Sequence, residues 1–144
     1  MELFSYLVKK KIFYFQFTAL ESIDVSVADP TQLVLNAKST LKSLSLLCID
    51  LDLLMARFLP HLTKLKSLNL LSICDAAFPL PQRVPKTVEN LELGDFDLRG
   101  MARLDSWQEL ELKEMSINKC SGVEEILFLL ANNSESLKMV FLEG

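Results

Sequence analysis

"LKSLNL", residues Leu65–Leu70, repeats with a single change the phrase "LKSLSL" at Leu41–Leu46, 24 positions earlier. Four more hexamers carry apolar residues at their first, fourth and sixth places. They are "LESIDV" from Leu20, "VENLEL" from Val88, "WQELEL" from Trp107 and "LKMVFL" from Leu137. The starts are separated by 21, 24, 23, 19 and 30 residues. Side chains of an extended strand alternate between two faces, so each phrase turns its apolar positions to one side and its intervening residues to the other. Strands are therefore predicted over 20–25, 41–46, 65–70, 88–93, 107–112 and 137–142.

A period of 20–30 residues marks a repeat architecture, in which one unit cannot cover its own apolar face and stacking of neighbours supplies the core. The segments between the strands read as return paths. "ADPTQLVLNA" offers Asp29 as a helix N-cap with Pro30 in the first turn. "DLDLLMARFLPHL" predicts a short helix ending near Pro60, with Leu51, Leu54, Met55 and Phe58 on one face. In "SGVEEILFLLANN", Ser121 and Glu124 form a capping-box pattern, and Val123, Ile126, Leu127 and Leu130 form the expected buried stripe. Pro79, Pro81 and Pro85 exclude a regular helix from "FPLPQRVPKTV", which should be extended or turned. The return "GDFDLRGMARLDS" has Gly94 and Gly100 at its bends.

The L-x-x-L-x-L phrase resembles the strand of leucine-rich-repeat proteins. The segments "CSGVEEILFLLANNSESLKMVFLEG", "LPHLTKLKSLNL" and "VPKTVENLELGDF" are similar to the irregular F-box-type, ribonuclease-inhibitor-like members of that family. The resemblance implies an α/β solenoid over a single domain, residues 1–144. This would be a fragment of a right-handed horseshoe, with about six parallel strands inside and short helices or extended returns on the convex side. It also implies a non-catalytic module that binds a protein on its concave sheet face, as the target-recognition part of a ubiquitin ligase. A non-degradative scaffold or effector of the same fold is the alternative, and an enzyme is a remote one. Two features depart from the family. The ninth position of a repeat ordinarily holds Asn, whereas counting from these phrases gives Ala28, Ile49, Ile73, Phe96 and Met115. No segment near the N-terminus resembles the adaptor-binding F-box, so a ligase adaptor would have to engage a segment missing here.

Composition narrows the class further. Half of the 144 residues are hydrophobic and 24% are charged, a globular balance. A net charge of −4 argues against nucleic acid, which requires clustered cations to release counterions. The one basic run, Lys9-Lys10-Lys11, is too short to change this. Three cysteines without paired spacing, Cys48, Cys74 and Cys120, imply free thiols in the cytosol or nucleus. No apolar run approaches the length of a membrane span, so no membrane partner is expected. The N-terminal apolar stretch reads as a strand at Ile12–Phe17 rather than a signal peptide. No cofactor or metal motif is present: there is no C-x-x-C, no H-E-x-x-H and no Gly-rich phosphate loop. A Cys–His pair would need the single histidine, His61, to meet a distant cysteine.

The binding residues expected on the concave face are Asn69, Glu92, Glu109, Glu111, Met139 and Phe141. Acidic groups beside an aromatic suit a basic segment with an apolar anchor. Trp107 is expected in the core, at the first apolar place of its phrase, and Leu47 and Leu71 are expected to pack on each other across neighbouring strands. The apolar phrase at Leu137–Leu142 has no polar cap after it, so self-association or further repeats are expected at that edge.

Overall fold

The computed structural model describes residues 20–26, 31–48, 59–72, 78–79 and 81–144. Among them run eight strands: β1 Ser22–Ser26, β2 Ser43–Cys48, β3 Ser67–Ser72, β4 Phe78–Pro79, β5 Asn90–Gly94, β6 Phe96–Asp97, β7 Glu114–Asn118 and β8 Met139–Glu143. The helices are α1 Thr31–Asn36, α2 Asp105–Gln108 and α3 Leu127–Asn132, with tighter 3-10 turns at Leu59–His61, Met101–Arg103 and Val123–Ile126. The strand expected at 12–17, most of the helix expected over 51–60, and the cap formed by Asp29 and Pro30 lie outside the described residues. Residues 81–89 contain no helix, consistent with their prolines.

Six strands form one parallel sheet in the order β1-β2-β3-β5-β7-β8, which is the order of the chain, while β4 and β6 form a separate parallel pair. Each long strand begins at the third residue of an apolar phrase. The first residue of the phrase is therefore buried just before the strand, as at Leu41, Leu65 and Val88. Strand pairing sets the rest in rows. Leu44, Leu68, Leu91 and Met115 form one buried row, and Leu46, Leu70, Leu93 and Ile117 form the next. Val34 and Ala37 of α1, Trp107 of α2, and Ile126 and Leu129 near α3 belong to the same core, so the helices cover this face of the sheet. Both rows end on β8 at Val140 and Leu142, which are exposed.

The fifth strand is not where the phrase "WQELEL" predicts it. Asn90 pairs with Glu114 and Leu93 with Ile117, which makes "LKEMSI", Leu112–Ile117, the working phrase. The strand starts are then spaced by 21, 24, 23, 24 and 25 residues. Trp107 and Leu110 are buried, but Trp107 lies in one turn of helix and Leu110 just past its end, at the spacing of three that a helix shares with the first half of the phrase. The Trp107 indole N–H donates to the Pro81 carbonyl at 2.8 Å, tying α2 to the proline segment. Trp107 is thus a core residue, though of a helix and not of a strand. Counted from Leu112, the ninth position is Cys120 instead of Met115.

The last helix also differs in phase from the expected stripe. Its first turn is 3-10, with about three residues per turn, so Val123, Ile126 and Leu129 align and Leu127 turns out to 64% exposure. Gly122, at φ 68°, precedes that turn, and no side chain caps it. Ser121 instead forms a parallel bridge with Asp97. Gly122 also lies close to Arg99, whose Cγ would be 2.8 Å from a Cβ placed there.

Two polar devices hold successive turns together. Asn133, 2% exposed, accepts the Leu112 N–H on Oδ1 at 2.7 Å and donates from Nδ2 to the Leu129 carbonyl at 2.9 Å. The Ser136 hydroxyl donates to the Leu112 carbonyl at 2.8 Å, as the Thr40 hydroxyl does to the Leu20 carbonyl at 2.7 Å one end of the sheet away. At the entrances to the strands, Glu89 accepts from Lys66 at 3.3 Å and from Lys113 at 2.9 Å, bridging three neighbours. These two lysines hold the Glu89 carboxyl below its ordinary range. The Arg99 guanidinium, helped by the Arg99 backbone N–H, lowers Asp97 from the usual 3.8 to about 2.

Replacing Asn133 with Ala leaves the buried Leu112 N–H without a partner, at a cost of about 1–3 kcal/mol, while the Leu129 carbonyl keeps the backbone N–H of residue 133. Urea unfolding of Asn133→Ala is expected to show a loss of roughly 1–3 kcal/mol, and Asn133→Asp a larger loss at neutral pH, where a buried carboxylate oxygen would face the Leu129 carbonyl. Asp97 gives a pH signature. Its carboxyl is depressed in the folded chain, so the stability it adds is full above the unfolded value near 4 and disappears as pH falls toward 2. The gap in urea midpoint between wild type and Asp97→Asn should narrow between pH 5 and pH 2 and stay constant above pH 5.

Candidate functional site

The face of the sheet opposite the core is an array fixed by strand register. One row runs Ser22, Ser43, Ser67, Asn90, Glu114, Met139, and the next runs Asp24, Ser45, Asn69, Glu92, Ser116, Phe141. An open groove of about 570 Å³ follows these two rows from Asp24 on β1 to Phe141 on β8. Its long axis crosses the strands, since all six strands of the sheet contribute residues to it. Ser43, Ser45, Ser67, Asn69, Asn90 and Ser116 are half-buried and make a floor of small hydroxyls and amides.

The walls change character along the groove. Glu92 and Glu114 are exposed on neighbouring strands, one residue pair apart along the strand, about 8 Å from each other on the ordinary strand spacing and rise. Beyond them the groove ends on Met139, 60% exposed, and Phe141, 52% exposed. The charged residues of this face are Asp24, Glu92, Glu114 and Glu143, all acidic. No ion pair among the described residues engages any of them, since the ion pairs there use Glu21, Glu89 and Asp97. Carboxylates of one sign in a groove reinforce a common negative potential, which attracts and orients cations.

Four of the six expected binding residues meet here: Asn69, Glu92, Met139 and Phe141. Glu109 and Glu111 do not. They are exposed in the connection between α2 and β7, five residues ahead of the positions the strand register assigns to this face. Glu114 and Ser116 take their places, and the near-constant spacing of about 24 residues was the signal that distinguishes "LKEMSI" from "WQELEL". Leu71, 40% exposed, lies over Gly94 of the adjacent strand, where a Cβ would collide with its Cδ1. The absence of a side chain at Gly94 gives Leu71 somewhere to rest. The side chain of Leu47 lies outside the described set.

Other chemistry-bearing residues lie elsewhere. Cys120 is buried, with its Sγ 3.7 Å from the Leu93 carbonyl, and burial pushes the thiol up from its ordinary value, away from the reactive thiolate. His61 is exposed in the 3-10 turn before β3. Among the described residues no three His, Cys, Asp or Glu side chains gather as a metal site would require. No described helix is long and apolar enough to cross a membrane.

The arrangement can therefore hold an elongated ligand that offers positive charge toward Glu92 and Glu114 and an apolar group toward Met139 and Phe141. Comparison with protein-family models, with curated proteins and with solved structures found no match for this chain.

Proposed function

We propose that this chain is a leucine-rich-repeat solenoid that acts as a non-catalytic protein-binding module, with the partner seated in the groove on its sheet face. The observation that carries this reading is the groove itself: two rows of outward side chains from six parallel strands, acidic and polar along their length, ending on an exposed Met and Phe. Aromatic anchors beside desolvated polar groups are where interface energy concentrates.

Equivalent positions support the repeat reading. Asp95 and Lys119, the eighth residues counted from Val88 and Leu112, share a left-handed backbone at φ 61° and φ 50°. Their N–H groups reach the next strand in the same way, Asp95 to the Asn118 carbonyl at 3.0 Å and Lys119 to the Glu143 carbonyl at 2.8 Å. Cys120 occupies the ninth position, where the leucine-rich pattern takes Asn or Cys, and its thiol faces the backbone of the preceding turn. The likeness of residues 120–144 to F-box-type repeats extends the proposal to target recognition in a ubiquitin ligase of the cytosol or nucleus. The free, buried Cys120 suits such a reducing compartment.

Affinity capture with paired baits tests this. One bait carries Glu92→Lys, Glu114→Lys and Phe141→Ser in the groove; the other carries Glu109→Lys and Glu111→Lys outside it. A partner retained by wild type and the second bait but reduced about tenfold or more with the first is the expected result. Co-capture of a cullin adaptor would support the ligase role. Equal capture by all three baits would remove the groove from the function.

A further inference from the structure

The groove's dimensions specify the shape of its ligand as well as its charge, an inference that rests on the groove being the binding face. Its axis crosses the strands, which are spaced by about 4.8 Å. Glu92, Ser116 and Phe141 occupy one row on β5, β7 and β8, so the backbone positions of Glu92 and Phe141 stand two strand spacings apart, about 9.6 Å. A β-strand laid along this axis repeats its side chains on one face every second residue, at about 6.7 Å, and then at about 13 Å. Neither distance matches. A polyproline-II segment has three residues per turn and rises about 3.1 Å per residue, which puts residues i and i+3 on one side about 9.3 Å apart.

The floor suits any extended backbone, polyproline II included. A polyproline-II backbone makes no internal hydrogen bonds, so its carbonyl and N–H groups need external partners along their whole length. Ser45, Ser67, Asn69 and Asn90 supply hydroxyls and amides along the groove on side chains short enough for a backbone to come close. Charge complementarity sets the remaining feature. The face carries four carboxylates and no cation among the described residues, which selects Lys or Arg over acidic side chains.

We propose that the partner enters the groove as an extended, polyproline-II-like segment, in either chain direction, in which a Lys or Arg stands three residues from a Leu, Phe or Met. The cation lies over Glu92, and the apolar side chain packs on Phe141 in the same row. Both ends of this contact are exposed in the free chain, so they are accessible without rearrangement of the core.

The test is selection of a phage-displayed library of random peptides of about twelve residues against the full chain, followed by fluorescence anisotropy on the enriched peptides. Enrichment of Lys or Arg three positions from a bulky apolar residue is expected, with affinity falling as salt rises. Phe141→Ser and Glu92→Lys should each weaken binding about tenfold or more, and Glu111→Lys should leave it unchanged. Shifting the cation by one residue in the best peptide should cost a similar factor.

Peptides that require Phe141 but show no such spacing would overturn the proposal and leave the groove as the binding face. Peptides indifferent to both Phe141 and Glu92 would overturn both. A failure to enrich any peptide would also defeat the proposal. If sedimentation then showed a dimer abolished by Phe141→Ser, a second copy of the chain would be the occupant.

Discussion

The residue entering each long strand donates its N–H to the carbonyl of the residue entering the strand before it. Lys42 donates to Glu21, Lys66 to Lys42, Glu89 to Lys66, Lys113 to Glu89 and Lys138 to Lys113, all at 2.7–2.8 Å. This unbroken ladder fixes the register of six parallel strands at their first residue. Strand side chains alternate with a strict period of two, so a slip of one residue anywhere would exchange the core rows with the groove rows. The leucines make that exchange costly, since truncating one buried leucine to alanine loses about 2–5 kcal/mol and a slip would expose several at once. Register and burial thus specify each other, and the outward face inherits its order from the ladder.

The same constraint explains why polar groups recur at set places. At two places where a return segment comes back to the sheet, a side chain meets buried polar groups of the preceding phrase. Asn133 and Ser136 take both polar groups of Leu112, and Thr40 takes the carbonyl of Leu20. At the solvent edge, Glu89 spans Lys66 and Lys113 in positions brought together by the ladder. Exposed pairs of this kind contribute little individually. They also keep these lysines at the rim engaged with Glu89 while the carboxylates of the groove face remain unpaired by any described cation. The acidic potential of the groove follows from that separation of signs.

Much of this was legible in the phrases themselves. "LKSLSL" and "LKSLNL" locate β2 and β3, and their outward residues Ser45 and Asn69 appear in the groove as alternation requires. The fifth strand was harder because two overlapping phrases share Leu112, and both bury all three apolar residues. Helix and strand differ in period, yet over four residues a spacing of three fits either. Pairing with β5 separates them outright, and with that choice Glu109 and Glu111 leave the site while Glu114 and Ser116 enter it. The phase of the last helix was hidden for a related reason: a 3-10 first turn advances each residue by more than an α-helical turn does, which exposes Leu127 and buries Leu129.

Apolar periodicity alone determined that this chain builds a parallel α/β sheet from successive phrases, because the identity of the core residues is written locally at each strand. The choice between competing phrases, the resting place of Leu71 over Gly94, and the direction of the groove across the strands were decided by tertiary structure. These depend on which residues of different strands stand side by side, a relation that spans more than 20 positions of chain and has no local signature. Residues one strand apart in space are a full repeat apart in sequence, so the site exists only once the ladder has closed.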